Sequence, residues 1–141
     1  MEKPEKIIVI IAIFLLSMGL VSGIYVEIET NENEKTFFSS GYLEVDAFLL
    51  SMDNIFSNCT GHICITDRGN YSGVSLSCVV NNSNIQNPEI HDYTIIALDG
   101  YTKTVSWNDM KKGILTNERY VVFSHLPRAY WIKDVLKIEV K

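Results

Sequence analysis

Tyr71-Ser72-Gly73-Val74-Ser75-Leu76 opens, and Ala97-Leu98-Asp99-Gly100-Tyr101 closes, the stretch on which the reading of this chain turns. Tyr93 to Leu98 is its strongest strand signal, an apolar, β-branched run that ends on Asp99-Gly100. Glycine accepts a positive φ without a Cβ clash, so Asp-Gly there predicts a hairpin turn. Tyr101-Thr102-Lys103-Thr104-Val105 supplies the partner strand. Ser106 with Asp109 three residues on predicts a capping box for a short helix running to Lys111-Lys112, stopped by Gly113. Leu76 to Val80 reads as one helical turn, ended by the polar run Asn81-Asn82-Ser83-Asn84.

Upstream, His62-Ile63-Cys64-Ile65-Thr66 alternates as a strand does and meets turn residues at Asp67-Arg68-Gly69-Asn70. Leu43 to Met52 places apolar residues at helical spacing and predicts a short helix. Ile24 to Glu29 alternates as a half-buried strand, and Thr30 to Lys35 is a polar loop. Downstream, Arg119 to Phe123 and Leu136 to Val140 predict strands joined by a connector over Ser124 to Arg128. No internal repeat and no long strand-helix-strand repeat occurs. The expected class is therefore α+β, short helices on a mostly antiparallel, mixed β core.

Ile7 to Ile24 is an almost unbroken apolar run of 18 residues, interrupted by no charge, behind Met1-Glu2-Lys3-Pro4-Glu5-Lys6. It fits a membrane anchor of about 20 residues. It also fits a signal peptide cut after the small residues of Val21-Ser22-Gly23. Either way residues 1–24 form an export element, residues 25–141 form one extracytoplasmic domain, and the membrane is a partner only if 7–24 is retained. The net charge of −5 and the absence of a basic cluster larger than Lys111-Lys112 argue against nucleic acid, because phosphate neutralisation needs concentrated cations.

Three cysteines, Cys59, Cys64 and Cys78, leave one over if two pair outside the cell. Cys59 and Cys64 flank Thr60-Gly61-His62-Ile63 and can face each other across a hairpin; the alternative is three small buried side chains. Asn58-Cys59-Thr60, Asn70-Tyr71-Ser72 and Asn81-Asn82-Ser83 are glycosylation sequons expected in loops at Asn58, Asn70 and Asn81. His62, His91 and His125 are scattered, with no local zinc spacing; His62 and Cys64 share one strand face. Tyr101, Tyr120, Tyr130 and Trp131 can line a ligand face, or simply pack a core.

Three segments together resemble the oxidoreductase molybdopterin-binding domain, the fold of sulfite oxidases. They are Tyr71-Ser72-Gly73-Val74-Ser75-Leu76, Leu98-Asp99-Gly100-Tyr101, and Tyr130-Trp131-Ile132-Lys133-Asp134-Val135 running on to Val140. The likeness covers roughly 43–141 and implies that fold, preceded by one N-terminal hydrophobic helix. Catalytic members hold molybdenum through a cysteine thiolate before the first motif. Cys64, nine residues before Gly73, is the corresponding metal ligand, and Arg119 is the nearest match to a cofactor-binding arginine. The spacing is shorter than in the enzymes. Their Gly-Pro-rich stretch is replaced here by Glu118-Arg119-Tyr120-Val121-Val122-Phe123.

Each landmark residue also has a structural role sufficient to explain it, so the resemblance speaks for fold more than for chemistry. The expectation is a non-catalytic ligand- or partner-binding domain without a cofactor. The alternatives are a molybdopterin-dependent oxidoreductase subunit and a cell-surface structural module.

Overall fold

The structure, a computed structural model, describes residues 41–141. The expected export element over 1–24, the strand expected over Ile24 to Glu29 and the loop expected after it lie outside the described residues. Among the described residues no helix is long and apolar enough to cross a membrane.

Among the described residues nine strands form two sheets. The first has five strands in the order β2-β1-β9-β5-β6: β1 Tyr42–Val45, β2 Phe48–Ser51, β5 Asp92–Ala97, β6 Thr102–Ser106 and β9 Val135–Val140. The second has four in the order β3-β4-β7-β8: β3 Gly61–Thr66, β4 Gly69–Ser75, β7 Ile114–Leu115 and β8 Val121–Val122. Helices α1 Met52–Asn58, α2 Leu76–Asn81 and α3 Trp107–Lys112 are each under two turns long. The class is α+β, and of the described strand pairs β1 and β9 alone run parallel.

The central strands carry the core. Leu43 and Val45 of β1, Tyr93 and Ile95 of β5, and Val135 and Ile138 of β9 are buried with Ile55 of α1, Leu76, Val79 and Val80 of α2, and Met110 of α3. On the second sheet, alternation divides the residues between two clusters. Val74, Leu115 and Val121 join the main core, whereas Cys64, Ile114 and Val122 pack on Tyr71, Tyr120 and Trp131.

The β5–β6 hairpin follows the sequence expectation, with Gly100 at φ 88° and Asp99 Oδ1 accepting from Tyr101 N at 3.0 Å. The capping box is also present. Ser106 Oγ accepts from Asp109 N at 3.3 Å, and Asp109 Oδ2 accepts from Ser106 N at 3.2 Å. Gly113 ends α3, but not by a left-handed turn, since its φ is −82°. A Cβ there would run into the Phe123 ring and come within 2.8 Å of Leu76 Cδ1, so the glycine is needed for close packing.

The helix expected over Leu43 to Met52 is a hairpin instead. Asp46 and Ala47 both take positive φ, 47° and 66°, as a two-residue hairpin turn requires, and Val45 pairs with Phe48. The helix begins only at Met52 and occupies the segment expected to leave it. Strand β4, whose first two residues fall in the expected turn Asp67-Arg68-Gly69-Asn70, strand β7, and the bridge from Val121 to Ile132 were not foreseen.

The disulfide joins Cys59 to Cys78, not Cys59 to Cys64; the Cα atoms are 6.0 Å apart, and the bond ties the end of α1 to α2. Cys64 cannot pair with Cys59 because it lies inside β3 facing the second cluster. The bridge closes a loop 19 residues apart in sequence. By loop-closure entropy that is worth about 3 kcal/mol. A Cys59→Ser/Cys78→Ser variant is expected to lose about that much in urea unfolding. Thiol titration of the native oxidised protein should find no reactive thiol, and the unfolded protein one.

Candidate functional site

The segment after β8 brings the aromatic residues singled out above together. The 3₁₀ turn Arg128–Tyr130 leads into Trp131, whose Nε1 donates to Phe123 O at 2.7 Å and so fixes the indole. Trp131, Tyr120 and Tyr71 pack edge to face, with ring centroids 5.6 to 6.1 Å apart. Tyr101, at the end of the Asp99-Gly100 turn, donates its hydroxyl proton to Ala129 O. The turn after β5 and the segment after β8 are thereby held against each other.

Between them lies a cleft of about 340 Å³ lined by Tyr101, Tyr120 and Trp131 with Asp99, Arg128, Lys133 and Asp134. Cations sit close to the rings: Arg128 Cζ is 5.7 Å from the Trp131 centroid and Lys133 Nζ 5.7 Å from that of Tyr120. Beside the cleft, Lys103 Nζ lies between Tyr101 and Tyr130, 5.7 and 5.2 Å from their ring centres. The arrangement offers apolar ring surface rimmed by two carboxylates and two cations. It suits a ligand with one apolar face and several hydrogen-bonding groups.

Sequence reasoning named the aromatics and missed the charged rim. The signal was the alternation of charge and ring within Arg128-Ala129-Tyr130-Trp131-Ile132-Lys133-Asp134. Tyr130 belongs to the Lys103 pair rather than to the cleft lining.

Neither Cys64 nor Arg119 lines this cleft. The Cys64 side chain is 6% exposed among Ile114, Val122 and the aromatic trio, at the floor of a separate opening beside α3. Arg119 is not among the residues lining that opening. Its guanidinium is buried, donating from one terminal nitrogen to Val135 O at 3.3 Å and from the other to Tyr42 O. Burial lowers its pKa from the ordinary arginine range. A guanidinium committed to main-chain carbonyls does not fit a cofactor phosphate, and the two residues do not fit a pterin as a pair. No step is derived through one.

The histidines are not gathered either. His62 is exposed on β3, His91 Nε2 lies 3.1 Å from Gln86 O, and His125 Nε2 lies 2.8 Å from Asp109 Oδ1. Among the described residues no three His, Cys, Asp or Glu side chains stand close enough to hold a metal ion.

No family model matches the chain. No curated protein matches it.

The His125–Asp109 pair joins the capping box to the segment after β8. Burial pushes the Asp109 carboxyl up, but hydrogen bonds from His125 and Ser106 outweigh it and hold the pKa below the usual carboxylate range. A depressed folded-state pKa contributes stability above the unfolded value near ~4, and that stability is lost as pH falls through the folded value. Asp109→Asn is expected to flatten this acid limb in pH-dependent melts and to cost about 1 kcal/mol at neutral pH.

The three sequon asparagines are exposed, but none stands in a loop. Asn58 and Asn81 are the last residues of α1 and α2, and Asn70 lies in β4.

Proposed function

We propose that this chain is an exported or membrane-anchored, non-catalytic binding domain of the sulfite-oxidase-like fold. Its ligand is a small polar molecule with an apolar ring face, of which a saccharide is the plainest class. The observation that carries the reading is the aromatic cleft with its charged rim of Asp99, Arg128, Lys133 and Asp134. Stacking of a sugar face on Trp131 and Tyr101 buries apolar area, while the rim supplies hydrogen bonds to hydroxyls. The Cys59–Cys78 bridge supports an oxidising, extracytoplasmic setting.

Calorimetric titration of the full chain with a panel of neutral and acidic oligosaccharides tests the reading. Binding is expected, and Tyr101→Ala or Lys133→Ala should weaken it roughly tenfold. Both side chains are exposed or half-buried, and their loss leaves the core intact. Affinity unchanged in both variants would sink the reading. Stoichiometric molybdenum in protein from a cofactor-producing host, lost on Cys64→Ala, would replace it with the oxidoreductase reading.

A further inference from the structure

Among the described residues β3 is the outermost strand of its sheet, paired with β4 on one side, and the backbone groups along its other side bond to no other described strand. Native proteins usually protect such an edge with charge, proline or a covering element. Gly61-His62-Ile63-Cys64-Ile65-Thr66 carries no Lys, Arg, Asp, Glu or Pro, and Ile63 and Ile65 are 71% and 73% exposed.

Two openings follow this edge. The first, about 340 Å³, touches the consecutive residues His62, Ile63, Cys64 and Ile65; the second, about 440 Å³, touches Ile65, Thr66, Asp67 and Arg68. Successive strand side chains point to opposite faces, so an opening that borders four in a row reaches the β3 backbone as well as its side chains; the first also reaches Ser75 of β4 and Ile114 of β7. Ile65 and Ser124 line both, which makes them one groove along β3. Six residues at ~3.3 Å each give it a length of about 20 Å, the span of an extended peptide.

The groove is basic on an acidic protein. Lys111 and Lys112 stand at one end, and Arg68 and Arg128 at the other, with Asp67 the one acid among the described lining residues, while the whole chain carries −5.

We propose that the free edge of β3 docks an extended, acidic polypeptide segment, which joins the second sheet as a fifth strand. Main-chain hydrogen bonds to β3 hold such a segment in register, and its carboxylates meet the lysines and arginines at the groove ends. A second copy of this chain is disfavoured, because antiparallel β3–β3 pairing sets the Lys111-Lys112 end of one copy against the Arg68-Arg128 end of the other.

The probe is a fluorescein-labelled octapeptide alternating valine and glutamate, titrated by anisotropy with the full chain in detergent micelles. Saturable binding that weakens with added salt is expected, with no binding of the valine–lysine counterpart. Lys111→Glu/Lys112→Glu should weaken binding roughly tenfold without touching the aromatic cleft. N-methylating one alternate set of peptide amides should cost roughly tenfold or more, and methylating the other set little, because only one set faces β3. Absence of binding overturns the proposal. So do equal affinities for the two methylated peptides, or competition by tripolyphosphate at the peptide's own potency, either of which leaves only an anion patch. A concentration-dependent dimer in light scattering that the peptide does not dissociate would assign the edge to a second copy.

Discussion

Gly73→Ala is expected to destabilise the domain by about 3 kcal/mol or more. An ideal Cβ at Gly73 collides with Leu115 O and comes within 2.7 Å of Leu115 C and 3.0 Å of Thr116 N. All three are backbone atoms in and just after β7, so no side-chain rotation relieves the contact. Relief requires β4 to move away from β7 and breaks the pairing of Val74 with Leu115 and of Ser75 with Ile114. Against a total stability of about 5–15 kcal/mol that is a large fraction. Gly61→Ala is the matched control, with nothing within 4 Å of its Cβ, and should stay within about 0.5 kcal/mol of wild type. Urea midpoints for the two variants decide the matter; Gly73→Ala within 1 kcal/mol of Gly61→Ala would refute the close approach.

Arg119→Met is expected to cost about 3 kcal/mol, because it removes donors from two main-chain carbonyls that the side chain now serves. Arg119 reaches from the β7–β8 turn to Tyr42 O at the start of β1 and to Val135 O at the start of β9, and its own N–H and C=O are used as well, by Thr116 O and Val135 N. Its φ of 61° points the side chain inward from a tight turn. Lysine should not rescue the variant, since one ammonium on a flexible stem does not reproduce a planar fork. Hydrogen exchange should rise first at Tyr42 to Val45 and at Val135. Uniform exchange across both sheets would show that Arg119 acts on global stability alone.

The contrast between these residues and the legible ones shows what a single sequence carries. The β5–β6 hairpin and the Ser106–Asp109 cap are local, built from residues within a few positions of one another, so their chemistry could be read directly. The β1–β2 hairpin was not legible. Leu43, Ala47 and Leu50 satisfy helical spacing as well as Leu43 and Val45 satisfy alternation, and the turn at Asp46-Ala47 uses positive φ without glycine. β7, two residues long, is too short to show any period, whereas β8 falls inside the strand expected over Arg119 to Phe123. The partner of Cys59 depended on how α1 packs on α2, which no spacing records. In the candidate site the rings of Tyr101, Tyr120 and Trp131 stood out by type. The surface charges that rim them look like any others until the fold sets them around one opening.

The place of β9 carries a consequence in time. It is the last strand in chain order, yet it lies third of five in its sheet, parallel to β1 on one side and antiparallel to β5 on the other. Until Val135 to Val140 leaves the ribosome, β1 and β5 have no neighbour between them, and the sheet remains two separate hairpins. Helices α1 and α2 and both bridge cysteines emerge much earlier. The covalent link can therefore precede the sheet, and completion waits on contacts of long sequence separation, the slow step in chains of this topology. A chain stopped short of Val135 loses the strand that joins its two halves, and arrested intermediates of increasing length should gain protease resistance abruptly as β9 emerges.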